Sequence, residues 1–122
     1  MSIKLNHTII WTHDKASSAQ FLADILDLPV GPLSGPFLPI QLSNGVTLDY
    51  ADTTDPVAAQ HYAFLITEDT FDTAFTRIQQ NGTAYWADPL HEEPQQIHHS
   101  NGGRGVYFAD PNGHNMELLT RP

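Results

Sequence analysis

Hydrophobic residues recur along the first half of the chain with spacings that predict a strand, a helix and then further strands. Residues 3–12 are rich in β-branched and aromatic side chains, which favours a strand. Apolar residues in 16–28 have helical spacing, and Pro29 ends the predicted helix. The proline-rich stretch 30–39 predicts short edge strands and turns. Strands are then expected at 37–42 and 46–51, joined by an Asn-Gly turn of type I′.

The second half of the chain repeats this order. Residues 60–67 predict a strand, and a helix follows that Thr67 or Asp69 can cap. Asn81-Gly82 ends that helix, with glycine in the position it commonly takes after a helix. Three further strands are predicted at 83–86, 104–109 and 114–120.

The repeat indicates an α+β fold made of two βαβββ modules. His7 and His61 lie at equivalent places, 61 − 7 = 54 residues apart. A module of about 50–60 residues is small for a stable core of its own, so we expect modules to pair, within a chain or between chains. We take 1–122 as a single domain. Module 1 covers about 1–55 and module 2 about 56–122. We expect their strands to form a curved mixed sheet that encloses a metal or ligand cavity.

Composition narrows the classes of function. Lys and Arg number 5 and Asp and Glu 14, so the net charge is −9, which disfavours nucleic acids and anionic membranes as partners. With no cysteine, disulfides, thiolate metal sites and cysteine nucleophiles are excluded. No apolar run is long enough for a membrane span, and we expect a cytoplasmic protein. The seven histidines suit a borderline or hard divalent metal.

Three ionisable residues lie inside apolar strand segments: His7, His61 and Glu117. Taken singly, each is expected to be a polar residue on the solvent face of an amphipathic strand. Taken together, two histidines and one carboxylate are the set that holds a divalent metal and leaves positions open for substrate. Spacing alone leaves both interpretations open.

Three segments resemble the vicinal oxygen chelate superfamily, which includes glyoxalases, bleomycin resistance proteins and extradiol dioxygenases. They are Leu5-Asn6-His7, His61-Tyr62-Ala63-Phe64, and the run from Tyr107 to Leu118 with its pattern Phe-x-Asp-Pro-x-Gly-His-x-x-Glu. The resemblance implies a homodimer and one divalent metal, Fe²⁺, Mn²⁺, Zn²⁺ or Ni²⁺, held by His7, His61 and Glu117.

The same resemblance raises the question of a fourth ligand. Glyoxalase I enzymes carry one on the last strand of the first half, where this sequence has Thr47, with Asp49 two residues further on. A three-ligand site is the expectation. Fosfomycin-thiol transferases bind a phosphonate through several cations, and this chain has few.

Other residues have both a functional and a structural interpretation. Tyr107 and His99 are candidate catalytic residues, although Tyr107 can equally pack the sheet and His99 can equally belong to a polar surface loop. Arg104 is a candidate anion contact at the rim of the pocket, or else part of the same polar surface loop where it enters a strand. Candidate walls for an apolar ligand, each of which can instead be core, are Trp11, Phe37 and Tyr50.

The leading interpretation is a metal-dependent enzyme, a lyase, isomerase or dioxygenase, whose small-molecule substrate is chelated through adjacent oxygens. The alternative is a non-catalytic protein that sequesters a drug, as bleomycin-binding proteins do. The net charge of −9 suits a cationic drug. Metal bound through the histidines would distinguish the two.

Overall fold

The computed structural model describes residues 2–122. These residues form two α-helices and two mixed β-sheets, in agreement with the predicted α+β class. The chain divides into two compact units, one ending at Val57 and the other spanning Ala58–Pro122. The division falls close to the boundary expected from the repeat. In the described residues, neither helix has the length and apolar character needed to cross a membrane.

The first unit contains a three-stranded sheet and one helix. Its elements are β1 (His7–Thr12), α1 (Lys15–Leu26), β2 (Leu38–Gln41) and β3 (Thr47–Asp52). The strand order is β1-β3-β2, with β1 parallel and β2 antiparallel to β3. Parallel pairing of β1 and β3 requires a crossover between them, and α1 with β2 supplies it.

Helix α1 begins one residue before its predicted start and ends two residues before its predicted end. The side chain of Asp14 accepts a hydrogen bond from the Ser17 N–H, which caps the first turn. At the other end Asp27 is left-handed and Pro29 follows, so the helix cannot continue. Its buried face packs on the sheet over a core that includes Ile10, Leu22, Ile40, Leu48 and Tyr50.

One local prediction in this unit agrees with the structure and another is wrong. The stretch 30–39 forms a turn closed by an isolated bridge between Ser34 and Phe37, and its last two residues begin the edge strand β2. The turn before β3 is not type I′: of its residues only Gly45 has a positive φ, 89°, and its N–H bonds to the Leu42 carbonyl. One glycine therefore takes the left-handed position that two residues would share in a type I′ turn.

The second unit holds a four-stranded sheet and one helix. Its elements are β4 (His61–Leu65), α2 (Glu68–Gln80), β5 (Tyr85–Trp86), β6 (Gly105–Ala109) and β7 (Asn115–Leu119). The strand order is β4-β7-β6-β5, with β4 parallel to β7 and the other neighbours antiparallel. A short 3₁₀ turn, Ser100–Gly102, precedes β6.

Alternation along the strands separates the two faces of this sheet. One face is buried and carries the large apolar side chains, and α2, capped by Thr67, contributes Phe71 and Ile78 to the same core. Even-numbered residues of β6 and β7 lie in that core: Val106, Phe108, Met116 and Leu118. Odd-numbered residues therefore lie on the opposite face, which we call the open face.

Candidate functional site

The open face of the second unit brings together residues from three strands. In the strand register, Glu117 of β7 lies opposite Ala63 of β4 on one side and Tyr107 of β6 on the other. His61 occupies the first position of β4, two residues before Ala63, and so projects from the same face. Three residues that are far apart in sequence thus become neighbours through strand pairing.

His61 and Glu117 point their metal-binding atoms at one another. His61 Nε2 lies 3.1 Å from Glu117 Oε1. The carboxylate is buried, with 8% of the residue exposed, whereas His61 is exposed. A buried carboxylate needs a cationic, hydrogen-bonding or metal partner to offset its desolvation. The pair therefore offers a nitrogen and an oxygen of the kind that a divalent metal binds.

Tyr107 completes this side of the cluster as a hydrogen-bond donor. Burial first, and then the negative charge of Glu117, raise the pKa of Tyr107 to about 12. Its hydroxyl donates a hydrogen bond to the Glu117 side chain, and its ring lies 5.7 Å from that of His61. At neutral pH Tyr107 is protonated, so it can donate a hydrogen bond but does not supply a phenolate.

The structure adds His98, which sequence reasoning did not select. Its Nε2 lies 3.5 Å from Glu117 Oε2, and its ring centre is 5.9 Å from that of Tyr107. The signal in the sequence is Gly105. Backbone hydrogen bonds pair His98 with Gly105, and a Cβ at position 105 would overlap the His98 imidazole. A glycine at the start of a strand can therefore mark the place of a large neighbour.

A stacked pair of rings borders the same face. Trp86 lies opposite Tyr107 in the β5–β6 register, and its ring stacks on that of His91 at 3.8 Å with an interplanar angle of 2°. His91 Nε2 is 2.9 Å from the Asn115 side-chain oxygen, which fixes the ring. This flat aromatic wall lies beside the His61–Glu117 pair and was not predicted.

The first unit presents His7 on the exposed side of its own sheet. The Asn6 side-chain oxygen accepts a hydrogen bond from His7 Nδ1 at 2.8 Å, which leaves Nε2 with its lone pair. Thr47 is the register partner of His7, and Asp49 is two residues further along the same face. Trp11 shares this face and is 47% exposed.

Several predicted site residues lie elsewhere. Tyr50 is fully buried among the core residues on the α1 side, which is the core interpretation left open for it, and the half-buried Phe37 forms the bridge to Ser34. His99 is exposed and lies directly before the 3₁₀ turn Ser100–Gly102. Its catalytic role stays a prediction.

Arg104 is held on the helix side of the sheet. Its guanidinium pairs with Glu68 and Asp72 at 2.8 Å each and lies 4.5 Å over the Phe71 ring. These partners raise the pKa of Arg104, the hydrogen bond to Asp72 contributing most. Arg104 therefore anchors α2 to the sheet, and the structure does not bring it to the open face near Tyr107.

The chemistry of the donor set fits a divalent metal. An imidazole nitrogen and a carboxylate oxygen face one another on the open face of the second unit, and the first unit presents an imidazole whose tautomer is set by Asn6. Across residues 2–122, no group of three or more His, Asp or Glu side chains is arranged to hold a metal ion.

Comparison with known proteins identifies the family. The model of the Glyoxalase/Bleomycin resistance protein/Dioxygenase superfamily matches residues 4–118, nearly the whole chain. The chain belongs to this superfamily. The resemblance inferred from its three sequence segments is thereby confirmed, and the superfamily contains metal-dependent enzymes that act on small molecules.

Two solved members of the superfamily are similar over the full chain. The structure called Oxidase ChaP-H2 is 59% identical, with a TM-score of 0.98, and covers 100% of this chain and 96% of its own. Oxidase ChaP-H1 is 48% identical, with a TM-score of 0.96, and the match covers 99% and 98% of the two chains.

Proteins with lower identity to this chain carry other names. Glutathione transferase FosA of Serratia marcescens is 29% identical over 121 residues, which is 93% of this chain and 78% of that protein. The fosfomycin resistance protein FosX of Mesorhizobium loti is 19% identical with a TM-score of 0.73, over 100% of this chain and 95% of its own. This last similarity concerns the fold alone.

Proposed function

We propose that this protein is a metal-dependent oxidase or dioxygenase that acts on a small molecule chelated through two adjacent oxygens. The metal ligands in this proposal are His7, His61 and Glu117. The observation that carries it is the 3.1 Å approach of His61 Nε2 to the buried carboxylate of Glu117 on the open face. An exposed imidazole against a buried carboxylate is a pair that a divalent cation can bind.

Each protein group has a defined task in this proposal. A bound Fe²⁺, Mn²⁺, Zn²⁺ or Ni²⁺ would supply Lewis-acid stabilisation of charge on a substrate oxygen and, for an oxidase, redox chemistry. Asn6 holds the His7 ring with Nε2 available as a ligand. Tyr107 stays protonated and offers its hydroxyl hydrogen to Glu117 or to a substrate oxygen.

Similarity to named oxidases favours oxidation over the other reactions of the superfamily. Oxidase ChaP-H2 is 59% identical across the whole chain, whereas a lactoylglutathione lyase of Agrobacterium tumefaciens is 19% identical. Dioxygen would be the oxidant. A fourth ligand at Thr47 or Asp49 is not needed, because three ligands leave more positions for two substrate oxygens.

The cations of the chain do not favour the phosphonate transfer that the name FosA would suggest. Arg104 is engaged by Glu68 and Asp72, and Lys15 lies 3.9 Å from Asp52. A dianionic phosphonate needs several available cations, and these two have anionic partners already. Sequestration of a cationic drug, favoured by the net charge of −9, is the second candidate.

We also propose that the protein is a homodimer, as the resemblance to this superfamily implies, and that it is cytoplasmic. Sedimentation equilibrium of the full chain tests the dimer. A molecular mass near twice 13.5 kDa is expected, and a mass of 13.5 kDa at micromolar concentration would contradict it.

The proposed function is tested with a ligand that chelates through adjacent oxygens. We expect 4-nitrocatechol to bind the Fe²⁺-loaded protein under anaerobic conditions and to shift its visible absorption. His61→Ala should abolish the shift, and His13→Gln, which changes an exposed histidine bonded to the Asp55 carbonyl, should retain it. A metal-loaded protein that produces no shift would contradict chelation. Tight binding of a cationic drug by metal-free protein would favour sequestration.

A further inference from the structure

We propose that His98 is a positioning residue that holds one oxygen of Glu117, so that Glu117 offers only its other oxygen to the metal. This inference rests on the proposed function, because it assumes that Glu117 is a metal ligand. His98 is not one of the three predicted metal ligands.

The backbone and Gly105 fix the place of the His98 ring. His98 and Gly105 exchange two backbone hydrogen bonds of 2.9 Å, N–H to carbonyl in both directions. A Cβ at position 105 would overlap Nε2 and Cε1 of the imidazole. The side chain of His98 is 17% exposed, so the ring is packed into this space instead of lying in solvent.

A second backbone contact sets the tautomer of the ring. The Ser100 N–H donates a hydrogen bond to His98 Nδ1 at 3.3 Å. Since Nδ1 accepts, the ring proton of neutral His98 is on Nε2. Nε2 is buried, and within residues 2–122 it makes no hydrogen bond. A buried donor without a partner is costly, so it favours an acceptor within reach.

That acceptor is the second oxygen of Glu117. His98 Nε2 lies 3.5 Å from Oε2, a few tenths of an ångström longer than an ordinary N–H···O hydrogen bond, while Oε1 faces His61 at 3.1 Å. The two carboxylate oxygens thus face different histidines. A metal held by His61 and Glu117 would use the carboxylate on its His61 side, and His98 would hold the other oxygen.

The expected consequence is a rigid ligand that uses one oxygen. Hydrogen bonds that orient a ligating carboxylate typically affect metal affinity about 10- to 100-fold when they are removed. Binding through one oxygen also leaves an additional coordination position for substrate. The test therefore measures both the affinity for a metal and its coordination.

Substitution of His98 by Gln or by Asn distinguishes the role of its Nε2 from that of its Nδ1. The Gln side-chain nitrogen reaches the position of Nε2, whereas the Asn side-chain nitrogen reaches only that of Nδ1. The probe is Co²⁺, whose visible absorption reports its coordination. We expect His98→Gln to bind Co²⁺ within about 3-fold of the wild type with the same spectrum, and His98→Asn to bind about 10- to 100-fold more weakly with a changed spectrum.

Controls distinguish failure of this inference from failure of the proposed function. His13→Gln removes a different histidine and should match the wild type. If the wild type binds no Co²⁺, the proposed function is wrong. If the wild type binds Co²⁺ and folded His98→Asn has the same affinity and spectrum, the role of His98 is overturned. Equal losses in the Gln and Asn variants would also overturn it, because they would show a packing effect without a hydrogen bond.

Discussion

The imidazole of His98 lies in the volume that a side chain at position 105 would occupy. Gly105→Ala must therefore displace the ring or the strand, and we expect a loss of about 1–3 kcal/mol in the free energy of unfolding. Urea denaturation measures it. In the double variant with His98→Ala the overlap is relieved, so its loss should be smaller than the sum of the two single losses. Additive losses would contradict the packing described here.

Because Asn6 bonds to the His7 ring, we expect a substitution at Asn6 to change the affinity for a metal that Asn6 does not itself bind. Asn6→Ala removes the acceptor that sets the His7 tautomer, and we expect an affinity for Co²⁺ about 10-fold lower. Asn6→Asp keeps an oxygen acceptor and should retain the affinity. Isothermal titration with the two variants measures the difference. Identical affinities in Asn6→Ala and the wild type would show that the contact has no role in binding.

We expect the hydroxyl of Tyr107 to ionise at a higher pH than an ordinary tyrosine. Its raised pKa, about 12, means that folding favours the protonated form. This contribution to stability is complete below pH 10 and is lost as the pH rises through 12. Titration of tyrosinate absorbance should show a late-ionising tyrosine that Tyr107→Phe removes. Glu117→Gln should lower that pKa in part, since burial remains and the negative charge does not. An unchanged titration curve in Tyr107→Phe would contradict the assignment.

A substitution at Arg104 distinguishes a structural role of this residue from a role in ligand binding. Arg104→Met removes the ion pairs with Glu68 and Asp72 while keeping an apolar stem against Phe71. Because all three ionic groups are partly solvated, we expect only a small fall in melting temperature. The affinity for Co²⁺ and the 4-nitrocatechol shift should not change. A selective loss of the shift would restore Arg104 as a substrate contact.

The sequence predicts the helices better than the strands. Caps act within one turn, so the sequence narrows the cap of α2 to Thr67 or Asp69, and the structure has Thr67. Strands depend on partners: within the stretch 30–39, Leu38 and Pro39 join the ladder with β3, whereas Ser34 and Phe37 form only an isolated bridge. Tyr50 illustrates a related difficulty, because alternation tells which residues share a face but not which face α1 covers.

The candidate site was only partly predictable for a related reason. His61 and Glu117 lie in strands with a recognisable pattern, and strand pairing brings them to 3.1 Å. His98 and His99 are adjacent in a loop, and only the bridge to Gly105 decides which of them faces Glu117. That bridge is a long-range pairing, so no local pattern distinguishes the two histidines.

The most direct test of this account is the metal content of the full chain purified without an affinity tag and loaded with Fe²⁺ or Co²⁺. We predict one metal ion per chain in the wild type and in His13→Gln, measured by atomic emission. His7→Ala, His61→Ala and Glu117→Gln should each fold and lose the metal. A wild-type protein without metal, or variants that retain a full equivalent, would contradict the proposed centre.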